Sequence, residues 1–149
     1  GADLALPTAW LTLKGEVAYV TSPPETSDGY VLYVVEIERQ VGEWLLDVGY
    51  AGEVVRESRA PINFAPDRAM ARSIIGRASY TLDPQRTVIF EGAARQSGDG
   101  FYGKIEYSQA MSEPWRLTLT GVGLAGDEDD FLGQYRRNSY GAVALRFTF

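Results

Sequence analysis

The 149-residue sequence contains no cysteine and no histidine. Without cysteine the chain has no disulfide framework and no thiol nucleophile. Without histidine it lacks the commonest general base and the commonest metal ligand of proteins. These two absences exclude Ser-His and Cys-His hydrolases, and they exclude zinc or haem sites with histidine ligands. We therefore expect no catalytic residue, no metal site and no enzyme activity.

Positive charge and long apolar runs are also scarce. Lys and Arg number 14 against 20 Asp and Glu, which gives a net charge of −6. Nucleic-acid binding needs a basic face, so we expect no nucleic-acid partner. The longest apolar run, Tyr30–Val35, is far shorter than the roughly 20 residues of a membrane-spanning helix. No segment has the pattern of a signal peptide, so we expect a mature or trimmed chain.

The sequence is rich in glycine and aromatic residues, with 16 Gly, 9 Tyr, 6 Phe and 3 Trp. This composition favours strands and turns over helices. Apolar and polar residues alternate with a period of two, which is the pattern of a strand with one apolar face. The alternation predicts a single domain over residues 1–149 with eight strands, at roughly 9–21, 30–40, 44–54, 71–82, 86–97, 101–110, 115–125 and 140–149.

The predicted connections differ in length along the chain. Those after the second, fourth and sixth predicted strands are tight turns, whereas those after the first, third and seventh are long. Short turns on one rim and long loops on the other are typical of a transmembrane barrel, whose strands need about 9–11 residues to cross the bilayer. The sequence therefore predicts an all-β fold, an eight-stranded antiparallel up-and-down transmembrane β-barrel. An even number of strands would place both termini on the short-turn side.

One predicted face of every strand is charged and the opposite face is apolar. An eight-stranded barrel has an interior that side chains fill, so we expect the charged face to form a network of ion pairs in the lumen. The predicted lumen residues are Lys14, Glu16, Glu36, Glu38, Asp47, Glu53, Arg77, Glu91, Arg95, Lys104, Glu106, Arg116 and Arg146.

One pairing within this network follows from the positions along the chain. Arg77 and Glu91 lie equally far from Pro84, so a turn centred on Pro84 would place them directly opposite each other. The acidic cluster Glu36, Glu38 and Asp47 needs bases from elsewhere. The candidates across the lumen are Arg95, Arg116 and Arg146.

Aromatic residues of the apolar face fall near the predicted strand ends, with aliphatic residues between them. Two aromatic belts around an aliphatic band are typical of a surface that faces lipid. A soluble barrel would instead gather large rings in a dry core. The predicted belts are Trp44, Tyr80, Tyr107, Trp115, Phe147 and Phe149 at the short-turn rim, and Tyr19, Tyr33, Tyr50 and Phe101 at the long-loop rim.

The final residues alternate in the same way and end on an aromatic ring, with Val143, Leu145, Phe147 and Phe149 on one face. With this ending, the chain resembles the small outer-membrane β-barrels of Gram-negative bacteria, of the kind seen in the OmpA transmembrane domain. The family pattern favours glycine where this chain has Ala144.

The resemblance implies a place in the outer membrane, with short turns and both termini in the periplasm and long loops outside the cell. It implies contact with the lipid bilayer and lipopolysaccharide, and with the barrel-assembly machinery through the final residues. We expect a monomer, because a closed barrel has no free strand edge.

Two further motifs predict no ligand. The glycine triplets that begin at Gly98 and Gly121 match a dinucleotide fingerprint, but that motif needs a following helix, so we expect no cofactor. The acidic run 127–130 lacks the alternate spacing of a calcium loop. Arg136 and Arg137 either pair with this acidic run or meet lipid phosphates.

Three functional hypotheses remain open from the sequence. The first is a structural anchor or scaffold with a closed, charged interior and no catalysis. The second is transport of ions or small solutes, with this chain as the last eight strands of a larger porin or a derivative of one. The third is a soluble up-and-down barrel that binds an apolar ligand, which requires the two faces to be reversed.

Overall fold

The structure, a computed structural model, describes residues 1–21, 29–57, 70–96, 98–112 and 114–148. The described residues form one antiparallel sheet of nine strands in chain order. The strands are β1 (Ala2–Pro7), β2 (Thr12–Val20), β3 (Gly29–Val41), β4 (Trp44–Glu57), β5 (Ser73–Asp83), β6 (Arg86–Arg95), β7 (Phe101–Ser112), β8 (Trp115–Ala125) and β9 (Tyr140–Phe147). A short helix α1 (Phe131–Gln134) and a 3-10 turn at Arg136–Asn138 lie between β8 and β9.

The predicted all-β, antiparallel, up-and-down arrangement is confirmed, but the strand number is nine rather than eight. Within the described residues, each strand pairs only with its neighbours in sequence, and β1 does not pair with β9. The predicted closure of the chain into an eight-stranded barrel is therefore wrong. The sheet is open and has two edges.

The additional strand precedes the first predicted one. Residues 9–11 belong to the hairpin between β1 and β2, where the Thr8 backbone N–H donates to the Leu11 carbonyl at 2.8 Å and the Thr8 hydroxyl donates to the same oxygen at 2.7 Å. The register pairs Leu4 with Gly15 and Leu6 with Leu13. Leu4 and Leu6 alternate with Asp3 and Ala5. This short alternation is the only pattern in the sequence that indicates β1, which the sequence-based prediction did not include as a strand.

An odd strand number also changes where the chain ends lie. Antiparallel strands reverse direction at every step, so β1 and β9 run the same way. Ala2 consequently lies at the rim where β9 begins, and Phe147 lies at the opposite rim. The expectation that both termini share the short-turn rim is wrong for this sheet.

The tight turns gather on one rim, as predicted. They connect β1 to β2, β3 to β4, β5 to β6 and β7 to β8. At the β5–β6 turn, Asp83 accepts a hydrogen bond from the Gln85 backbone N–H at 2.9 Å and pairs with Arg86 at 2.6 Å. Such an aspartate turn fixes the register of the two strands it joins.

Very little of the described chain is buried. The buried apolar residues of the described part are Tyr30, Ala71, Ala93 and Leu132. The accessible surface is 10176 Å², against about 7,500 Å² for a compact soluble monomer of 16.4 kDa by size scaling. The described residues therefore form no dry interior of the kind that a soluble sandwich or barrel has. No helix among the described residues is long and apolar enough to cross a membrane.

Candidate functional site

The candidate site is the charged face of the sheet, defined by the thirteen predicted lumen residues. Neighbouring side chains on a strand point to opposite faces, so the register fixes which residues share a face. It places Lys14 opposite Glu36, Glu106 opposite Thr120, and Arg116 opposite Arg146. Followed across all strand pairs, the register places all thirteen charged residues on the same face.

A ladder of five charged residues crosses the middle of this face on five consecutive strands. Each member lies directly opposite the next, in the order Glu38, Asp47, Arg77, Glu91 and Lys104. The Arg77 Nε atom lies 3.3 Å from Glu91 Oε1, and Lys104 Nζ lies 3.4 Å from Glu91 Oε2. The predicted pairing of Arg77 with Glu91 is therefore confirmed.

Lys14 resolves the one like-charged contact in the ladder. Glu38 and Asp47 oppose each other, and Lys14 Nζ lies 2.6 Å from Glu38 Oε2 and 3.6 Å from Asp47 Oδ2. A shared cation of this kind offsets the repulsion between two carboxylates.

The predicted partners of the acidic cluster are wrong. Among the described residues, Arg95 pairs with Asp130 at 3.2 Å, and Arg116 donates to the Ser108 hydroxyl at 3.0 Å. Neither reaches Glu38 or Asp47. The physical reason is that the three arginines lie two to six strands from β3 and β4 in an open sheet, where no lumen brings their strands opposite the acidic cluster.

The described ion pairs of this face therefore join residues on the same strand or on nearby strands. Lys104 also pairs with Glu106 on its own strand at 3.2 Å, and Arg72 pairs with Glu53 on the neighbouring strand at 3.2 Å. No ion pair between two described strand residues joins strands more than two places apart. Most charged residues of this face therefore pair with each other, and none of these pairs reaches across to a facing sheet.

A loop folds onto the charged face at the long-loop rim, where Asp130 is the anchor. Its side chain is 3% exposed, pairs with Arg95, and accepts a hydrogen bond from the Leu132 backbone N–H at 2.8 Å. Gly98 and Gly100 leave room for the carboxylate, because a Cβ on either would lie about 2 Å from an Asp130 oxygen. We call residues 126–139 the rim loop.

The acidic run of the rim loop pairs with a neighbouring cation. Arg136 hydrogen-bonds Glu128, and the guanidinium lowers the pKa of the Glu128 carboxyl below its ordinary value. Of the two alternatives for Arg136, the structure shows pairing with the acidic run. Among the described residues, no group of three or more acidic side chains is arranged to hold a metal ion.

The opposite face is apolar and open to its surroundings. Val48, Ile74 and Ile105 in mid-strand are 53%, 58% and 48% exposed. By contrast, four of the five side chains in the ladder are 20–30% exposed, and Arg77 at 46% is the exception. Side chains on the inside of a curved sheet crowd together, so these values indicate that the sheet curves toward the charged face.

The described belt residues lie on the apolar face, several of them at strand ends, but Tyr50 and Tyr107 are each the seventh residue of strands with 14 and 12 residues and so lie in mid-strand. At the short-turn rim, Trp44 packs on Tyr80 with 4.6 Å between ring centroids, and Trp115 meets Phe147 edge-on at 5.0 Å. Toward the other rim, the Tyr33 and Tyr50 centroids lie 6.4 Å apart. Tyr107 shares a row with Tyr80 through Val88. Tyr19 and Phe101 are 59% and 49% exposed.

The predicted assembly signal lies on β9, with Val143, Leu145 and Phe147 exposed at 75%, 57% and 49%. Phe149 lies outside the described residues. Sequence reasoning placed Asp130 only in the acidic run 127–130 and missed its contact with Arg95, because nothing in the sequence specifies how the rim loop folds back.

Comparisons of the chain with models of known families, with curated proteins and with solved structures find no match. The functional argument therefore comes from the geometry of the two faces.

Proposed function

We propose that this chain forms part of the wall of a β-barrel in a Gram-negative outer membrane. Its charged face lines a water-filled passage for ions and small polar solutes. The observation that carries the proposal is the contrast between the faces. Large apolar side chains in mid-strand are about half exposed, whereas nine of the thirteen charged residues are only partly exposed and most of the thirteen form ion pairs on their own face. Lipid is the environment that favours such an apolar surface.

The length and belts of the strands support the membrane part of this proposal. Strands β3 to β8 contain 10 to 14 residues each, and about 9–11 are needed for a tilted crossing. Aromatic rings flank an aliphatic band, as they do at the two interfaces of membrane barrels. The bilayer is the partner that this surface fits, with lipopolysaccharide at the long-loop side and the barrel-assembly machinery reading the final residues.

The within-wall ion pairs support the water-filled part. Charges that must be neutralised across a narrow lumen would find partners on distant strands, because an unpaired enclosed charge costs several kcal/mol. Here the described pairs join strands at most two places apart. The charged side chains therefore need no partners across a lumen, and the space in front of them can hold water. This favours solute passage over the closed interior of a structural anchor.

The rim loop favours the structural anchor as the second candidate. Asp130 and Leu132 are buried, and Asp130 pairs with Arg95 of β6, so the rim loop covers part of the charged face at the long-loop rim. A closed interior would need further side chains to fill the level of the ladder.

The exposed apolar face argues against the soluble, ligand-binding barrel. Such a fold would bury Val48, Ile74 and Ile105 around its ligand. Refolding in buffer without lipid should therefore give aggregated rather than monodisperse protein, as light scattering would show.

Single cysteines test the two faces, because the natural chain has none. Ile105→Cys and Thr120→Cys lie in adjacent rows of the sheet, on the apolar and the charged face respectively. Each variant is refolded into vesicles and labelled with an environment-sensitive fluorophore. We expect lipid-bound nitroxides to quench the label at 105, and aqueous iodide to quench the label at 120.

The iodide result separates the candidates. Quenching at 120 supports a water-filled passage. Protection of 120 from both quenchers would contradict it and favour the closed anchor. Iodide quenching at 105 would contradict the membrane assignment altogether.

A further inference from the structure

The two edges of the sheet run in the same direction. Every strand pairs antiparallel with its neighbours, and the order is β1 to β9 without crossover. Strands β1 and β9 are both odd in this order, so they are mutually parallel. Joining them directly would create a parallel seam in an otherwise antiparallel sheet.

Both edges carry unpaired backbone groups beside exposed apolar side chains. Leu4 and Leu6 of β1 are 59% and 50% exposed, and Val143 and Leu145 of β9 are 75% and 57% exposed. Within lipid, backbone N–H and C=O groups must find partners, and open sheet edges do not persist. The edges of this sheet therefore need strands beside them.

Each edge also has a like-charged pair. Asp3 of β1 lies opposite Glu16, and Arg146 of β9 lies opposite Arg116. Asp3, Glu16 and Arg146 form no ion pair with another described residue. Like charges directly opposite each other destabilise a sheet, so a neighbouring strand of opposite charge would relieve each pair.

We propose that β1 and β9 are joined through an odd number of additional antiparallel strands, giving a barrel with an even strand number of ten or more. This inference rests on the proposed membrane function. The strand beside β9 carries an acid facing Arg146 near the short-turn rim. The strand beside β1 carries a base facing Asp3 near the long-loop rim.

A second copy of the nine-stranded sheet does not fit this role. A copy inserted in the same orientation would place its β1 parallel to β9. A copy inserted upside down would pair antiparallel, but it would put its long loops at the short-turn rim. The charges at the edges also argue against a second copy. Asp3 and Arg146 lie at opposite rims, so they cannot neutralise each other across a seam between copies.

Cysteine pairs on the full 149-residue chain test the seam. Ala5→Cys on β1 is combined in turn with Ala142→Cys and Ala144→Cys on β9, all on the charged face. The matched control is Thr118→Cys with Ala144→Cys, which the register places directly opposite each other on β8 and β9. Each variant is refolded in detergent; one portion is oxidised to form disulfides, and a separate, reduced portion is treated with a short bismaleimide.

We expect the control to cross-link within one molecule and the edge pairs not to cross-link. An intramolecular link from position 5 to either β9 position would overturn the proposal, since it would show a nine-stranded closure. An intermolecular link between these positions would overturn it too, because a second copy would then occupy the edge. The control reports sheet formation independently of the quenching experiment, so failure of the membrane assignment is distinguishable from failure of this inference.

A strand peptide tests the charge of the missing neighbour. The probe is a peptide with the sequence of β8, Trp115–Ala125, carrying a terminal photo-reactive group, and a second version contains Arg116→Asp. We expect the acidic version to label the detergent-refolded chain at β9 several-fold more than the parent peptide. Equal labelling, or preferential labelling by the parent, would overturn the predicted acid beside Arg146.

Discussion

On the apolar face of the sheet, Ile105 is 48% exposed although it lies in the middle of a strand. On the charged face, Lys104, one residue before it, is 25% exposed and contacts two carboxylates. In soluble proteins this relation is reversed, because burial of large apolar side chains drives folding in water. The proposed membrane function accounts for this difference by placing the apolar face in lipid. The following predictions break or sharpen this contrast, from the largest expected effect to the smallest.

The same new charge should destabilise the protein far more on the apolar face than on the charged face. In the proposed membrane orientation, Ile105→Lys places an ammonium in lipid, and we expect it to lower the free energy of unfolding by about 2–4 kcal/mol. Thr120→Lys, the matched control, faces Glu106 across the strand pair and should cost less than about 0.5 kcal/mol. Urea unfolding in vesicles measures both. Equal losses would mean that the two faces share one environment.

The rim loop should detach when its buried charge is removed. Asp130→Asn keeps an oxygen for the Leu132 N–H but leaves Arg95 without its carboxylate, and a buried charged hydrogen bond is worth roughly 1.5–3 kcal/mol. We expect faster proteolysis within residues 126–139 in the refolded protein. Asp99→Asn is the control, because its amide oxygen can still accept from the Asp127 N–H. Unchanged cleavage of Asp130→Asn would show that the loop does not depend on this pair.

Two double-mutant cycles compare paired and unpaired charges on the charged face. Arg77 and Glu91 are opposite charges in register, whereas Arg116 and Arg146 are like charges in register. Replacement by Gln should give coupling energies of about 0.2–1 kcal/mol, favourable in the first cycle and unfavourable in the second. Denaturant midpoints provide the values. Couplings of the same sign would contradict the registers described here.

The exposed pair of the rim loop should respond weakly to pH. Because the Arg136 contact lowers the pKa of Glu128, the pair stabilises the folded loop at pH values above the ordinary glutamate pKa. That stabilisation is lost as the pH falls through the lowered pKa. A spin label at Asn138→Cys should become more mobile over this acidic range. Adding Glu128→Gln should remove the transition, and an unchanged transition would assign it to another group.

Much of the fold was predictable because strand alternation is a local property. Eight of the nine strands follow from periodicity, and the Arg77–Glu91 register follows from the turn at Pro84. β1 was missed because six residues give little periodicity, and because the alternating residues 9–11 belong to a hairpin.

The partners of the charges were harder to predict than their face. The face of Lys14 follows from alternation alone, but its contact with Asp47 two strands away depends on side-chain reach across β3. The contact of Asp130 with Arg95 depends on how the rim loop folds back, and no local pattern specifies that.

The sequence by itself determined that the chain is a sheet with one charged and one apolar face, because a period of two assigns each side chain to a face without any knowledge of its neighbours. Only the tertiary structure decided the number of strands that pair, the open edges, and the choice of Lys14 and Asp130 as ion-pair partners. Those features depend on contacts between residues distant in sequence, where pairing geometry and reach select among several charges of suitable sign.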